Sequence, residues 1–152
     1  FDKLGTYANN LLFAFLYSQW QGSLSTALLE QGLEELHSRG FQAVDSLVSS
    51  KGLPLNWHLL SASDINVLGI ARKKSVVDEA RLSRFLSLDY EFARQKLALS
   101  SFDFFFRLSN SQGVDFNFGL LPDSNIAVFS FRRIVDYKGV ESIVDFTVFK
   151  KA

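Results

Sequence analysis

The chain has 152 residues, 47% of them apolar and 14% aromatic, which is enough material for one domain with a real core and too apolar for disorder. Its 16 basic and 16 acidic residues cancel, so no long-range field steers nucleic acid towards it and no nucleic-acid partner is expected. The absence of cysteine excludes a disulfide framework, a zinc ribbon and a thiolate nucleophile.

In chain order, Leu4, Tyr7, Ala8, Leu11 and Phe15 recur at helical spacing, and Leu24, Ala27, Leu28 and Leu36 extend the stripe towards Gly40, with a break expected near Gly22. Leu12, Phe13 and Leu16 form a second apolar flank, wider than one sheet covers, and are candidate contacts to a neighbouring subunit. The apolar run Leu11 to Tyr17 is far shorter than the roughly twenty residues that span a bilayer. The chain opens on Phe1 without an initiator Met and reads as processed or truncated, any targeting element having already been removed. Phe41, Val44, Leu47 and Val48 predict a further helical piece, stopped by Gly52 and Pro54. Gly52 to Trp57 then reads as a fixed turn with Trp57 buried, and Ile65 to Ala71 as an edge strand or a packed loop.

Ser75 followed by Asp78 predicts a helix start, with Arg72, Lys73 and Lys74 lying unfavourably ahead of its N-terminus; Asp89 reads as the cap of the next helix. From Phe102 the period changes to two. Phe102, Phe104, Phe106 and Leu108 share one face, Asp103 and Arg107 the other, and the turn at Asn110 to Gly113 leads to Val114, Phe116 and Phe118. A second pair, Asn125 to Asp136 and Val140 to Lys150, is joined at Gly139, which is available for positive φ. The expected class is α+β: an N-terminal helical region packed on a four-stranded antiparallel meander. One domain is expected over 1–152, helical over 1–51, a turn plus short helices over 52–100, and the sheet over 101–152.

No hydrolase, metalloprotease or nucleotide-binding motif occurs, and the two histidines, His37 and His58, have no partner at metal-ligand spacing, so neither an enzyme nor a cofactor is expected. Glu30, Glu34 and Glu35 read as a solvated helix face rather than a cation site. Arg132 and Arg133 place one guanidinium on each side of a strand, and the inward one needs a carboxylate or carbonyl partner. Among the 16 Phe, Phe105 falls on the outer face and needs cover, from a neighbouring subunit or from the N-terminal helix.

The turn Gly52-Leu53-Pro54-Leu55-Asn56-Trp57 is followed by the step Leu68-Gly69-Ile70-Ala71, a helix opening on Arg81-Leu82, and then Asp89-Tyr90 ahead of the strand Phe102 to Leu108. Arg132-Arg133-Ile134-Val135 and Gly139 close the series. In that order, these segments resemble archaeal pilin-like surface proteins with class III signal peptides. The resemblance implies a type IV pilus-like subunit, extracellular and anchored in the membrane or built into a filament, whose partners are other pilin-like subunits met through an apolar N-terminal helix missing here. It implies structural roles for Gly52, Pro54, Asn56, Trp57, Gly69, Arg132, Arg133 and Gly139, and names no catalytic residue. The rival reading is a soluble module holding an apolar ligand between the helices and the Phe-rich sheet.

Overall fold

A computed structural model describes residues 26–99, 101–124 and 126–150. Helix α1 spans Thr26–Ser49, and Leu33, Leu36, Ala43, Val44, Leu47 and Val48 form its buried stripe at helical period. The stripe passes through Gly40 without a break, whereas the sequence suggests two pieces. Gly40 is there for proximity rather than termination: a Cβ would lie 2.5 Å from Val148 Cγ2 and 2.7 Å from the Phe131 ring, so α1 makes a close approach to the sheet at this residue. The stripe expected before Thr26, with its break near Gly22 and its flank Leu12, Phe13 and Leu16, lies outside the described residues.

The last carbonyls of a helix have no partner within it. Here they are met by the chain that returns after the turn: Ile70 N–H donates to Leu47 O (2.9 Å), and Ser75 N–H to Val48 O (3.3 Å). Ile65 to Ile70 is a packed loop. It leads into a hairpin of β1 (Ala71–Lys73) and β2 (Val76–Val77), with Ser75 at φ 63° in the tip. The helix start predicted at Ser75 is therefore corrected: the pair Ser75 and Asp78 mimics a capping box, but Ser75 turns a hairpin and Asp78 is the cap. The reading of Arg72, Lys73 and Lys74 is corrected with it. These residues belong to the hairpin packed on the C-terminus of α1, where cations favour the helix dipole.

Helix α2 (Glu79–Leu86) begins at Asp78, whose carboxylate accepts from Arg81 N–H at 3.0 Å; α3 (Tyr90–Lys96) begins at Asp89, which accepts from Phe92 N–H at 3.1 Å. Four strands follow: β3 (Asp103–Asn110), β4 (Asp115–Gly119), β5 (Val128–Tyr137) and β6 (Val140–Phe149). Lys138 and Gly139, both at positive φ (55° and 78°), form the two-residue turn between β5 and β6.

The class is mixed α+β, but the sheet is not a four-stranded meander. It has six strands in the order β1-β2-β5-β6-β3-β4, antiparallel except where β2 meets β5 in parallel at Val76 and Asp136. A meander would set β4 beside β5. Instead β6 pairs along the whole of β3, and β4 is left at the edge. Period-two alternation reports which face a side chain takes, and it is silent on which strand lies alongside. The sheet also curls: Phe116 on β4 and Tyr137 on β5 meet edge to face at 5.9 Å although two strands separate theirs.

The helices pack on the face carrying Phe104, Phe106, Leu108, Phe131, Val144, Phe146 and Val148, all buried with the helical stripe in one cluster. Phe85 from α2 meets Phe106 and Phe118 edge to face, while Tyr90 from α3 stacks on Phe104, which in turn stacks on Phe146.

Candidate functional site

The turn after α1 is built around one indole. Trp57 is fully buried, and its Nε1–H points between Lys51 O (3.0 Å) and Gly69 O (3.1 Å), tying the chain that leaves α1 to the chain that returns to β1. Two glycines make room. Gly52 sits at φ 83° with a notional Cβ 2.4 Å from Trp57 Nε1, and a Cβ at Gly69 would lie 2.2 Å from Ser50 O. Leu53 and Val67 exchange backbone hydrogen bonds at 2.9 and 3.0 Å, and Pro54 O accepts from Trp57 N–H. Asn56 is exposed and contributes its backbone carbonyl to Leu59 N–H.

The same turn presents Leu53, Leu55 and Leu59 outward. Arg81 and Arg84 of α2 fasten it from behind by donating to Leu55 O (2.8 Å) and Leu60 O (3.1 Å). Gly52, Pro54, Asn56, Trp57 and Gly69 are thereby gathered in one place. Gly139 lies apart, at the turn between β5 and β6.

Arg132 and Arg133 take opposite faces of β5. Arg132 points outward and its Nε donates to Asp145 Oδ1 at 2.9 Å, across a pair of residues directly opposite in the ladder. Arg133 points towards α1, with its guanidinium over the Phe41 ring at 5.3 Å and Nη1 donating to Arg132 O. Burial depresses its pKa, and the charge of Asp45 acts against that shift. Phe105 is half-buried on the outer face and lies directly opposite Gly119, where the neighbouring strand has no side chain.

One cluster escaped sequence reasoning. Asp103 heads β3 and is buried, where alternation alone places it on the outer face. Tyr90 Oη donates to Asp103 Oδ1 at 2.6 Å and accepts from Phe104 N–H at 3.1 Å, while Arg94 approaches Asp103 at 3.7 Å and also pairs with Glu91. Burial and then the bond to Asp103 push the Tyr90 pKa well above its ordinary value, so the phenol stays protonated and fastens α3 to β3. A capped helix start at Asp89 followed by Tyr90 is the only local signal of this link.

Among the described residues, no group of three or more His, Cys, Asp and Glu side chains is placed to hold a metal ion, and no helix is long and apolar enough to cross a membrane. No protein-family model matches the chain, and neither a curated protein nor a solved structure matches it.

Proposed function

We propose that this chain is the head of a pilin-like surface protein of the archaeal class III signal-peptide kind, with a structural or adhesive role and no enzymatic one. The observation that carries the reading is the convergence of the turn and its partner step. Gly52, Pro54 and Trp57 close on Leu68, Gly69 and Ile70 through a shared indole, and so fix how a long helix delivers its sheet. Two of the segments on which the resemblance rests, Gly52 to Trp57 and Leu68 to Ala71, occupy one interlocked place at the end of α1. The polar contacts lend support, since Tyr90–Asp103, Arg107–Asp115 and Arg132–Asp145 each join neighbouring elements.

In this reading an apolar N-terminal helix ahead of α1 anchors the head outside the cell or seats it among other subunits. Expressing the full-length gene product with its peptidase and assembly ATPase tests the proposal. The expected outcome is membrane-associated or filamentous protein by fractionation and electron microscopy, whereas a soluble monomer with no membrane association would favour the apolar-ligand module.

A further inference from the structure

The two edges of the sheet are built differently. Strand β1 spans three residues, carries Arg72 and Lys73, and pairs with β2 through a register shift, three devices that discourage a further strand from adding. Strand β4 is longer, and its single charge, Asp115, is held by Arg107. Its five residues, Asp115-Phe116-Asn117-Phe118-Gly119, contain no Lys or Pro, and they pair with β3 in unbroken register.

The backbone bonds flanking this ladder show which groups face the open side. Asn110 N–H donates to Val114 O and Leu120 N–H to Phe104 O, so the even-numbered residues of β4 bond to β3. The N–H and C=O groups of Asp115, Asn117 and Gly119 therefore point away from β3. Among the described residues nothing hydrogen-bonds to them there, since α2 meets β4 from the core face, Phe85 against Phe118 at 5.0 Å.

We infer that β4 is the self-association edge of this protein and that its occupant is a second copy of β4, antiparallel, about a two-fold axis at Asn117. The argument is register complementarity. Centred there, Asn117 faces Asn117 of the second copy in a hydrogen-bonded pair, as its outward N–H and C=O require. Phe116 then faces the second copy's Phe118 in the closer, non-hydrogen-bonded pair, and two half-buried rings on each side gain an aromatic neighbour. Asp115 faces the second copy's Gly119, so the two carboxylates never oppose one another, and each keeps its ion pair with Arg107 (2.9 Å) on the outer face. A centre at Asp115 would instead set like charges opposite each other. The inference stands independently of the pilin reading.

A five-residue contact is small, so the dimer is weak and depends on concentration. Sedimentation equilibrium of the full chain from about 1 to 500 µM tests it, with N117K as the variant because Asn117 is exposed and its change leaves the core intact. The expected result is self-association by the wild type and at least a tenfold (~1.4 kcal/mol) weaker association by N117K with an unchanged melting temperature. The chain has no cysteine, so N117C provides a second reading: under oxidised glutathione it is expected to form a disulfide-linked dimer, while K74C, exposed in the turn between β1 and β2, does not. A wild type that stays monomeric throughout overturns the inference. So does N117K associating as strongly as the wild type, or equal cross-linking of N117C and K74C.

Discussion

Lys51 O and Gly69 O lie on either side of a single donor, the Trp57 N–H, in a ring with no exposed surface. Trp57→Ala is expected to cost about 3–5 kcal/mol, as for large aromatic truncations in cores. Trp57→Phe keeps much of the apolar volume and removes the donor, leaving an expected cost of about 1–3 kcal/mol, chiefly for the buried Gly69 carbonyl that loses it. Urea melts of both variants check the pair, and a cost below about 1 kcal/mol for Trp57→Ala would contradict the role of the ring. His37 gives a residue-scale dependence on pH. Its imidazole packs on Phe129 and Phe131 at 5.3 and 5.2 Å, and burial lowers its pKa. The unfolded chain therefore holds more protons on this group as pH drops below the ordinary value of about 6.5, so this contribution to stability is complete above that pH and is lost as pH falls through it. His37→Phe is expected to show a smaller drop in melting temperature than the wild type between pH 7.5 and 5.5. At this scale Gly52, Trp57 and Gly139 are legible in sequence because turn chemistry is local. Asp103 is not, because its burial depends on Tyr90 arriving from a helix thirteen positions earlier.

Helix α1 meets the sheet closely at Gly40, where there is no room for a methyl group. Ala is the better helix former by about 1 kcal/mol, so a solvent-facing glycine would gain from the change. Gly40→Ala is instead expected to destabilise by about 1–3 kcal/mol, because the added carbon meets Val148 and Phe131 side chains that are buried and have little room to move. Denaturant melts decide the sign, and a stabilised variant would contradict the packing described. The elements were legible wherever period and cap agree: the stripe of α1, the cap Asp89, and the alternation of β3, β5 and β6. They were misread where one local pattern serves two structures. Ser75 and Asp78 have capping-box spacing, yet Ser75 N–H is bound to Val48 O at the end of α1, a tertiary bond that no local window contains.

For the whole molecule, one cluster of buried side chains joins α1, α2, α3 and the sheet, and the rings of Phe85, Phe104, Phe106 and Phe146 pack on one another between the layers. Composition alone indicated such a core. Strand order was not legible: β6 rather than β4 lies between β3 and β5, because pairing across a long connection is settled by the complete face each strand buries. The candidate site was legible as the turn and its glycines. The interlock between them required the fold, because Trp57 and Gly69 lie twelve residues apart. The central claim is that this head belongs to a protein held at the cell surface by an apolar helix, and the coding sequence upstream of Phe1 tests it most directly. The account predicts an uninterrupted apolar stretch of about twenty residues, preceded by a basic, Gln-containing cleavage site. An upstream sequence that encodes no such stretch, or a start codon immediately ahead of Phe1, would contradict it.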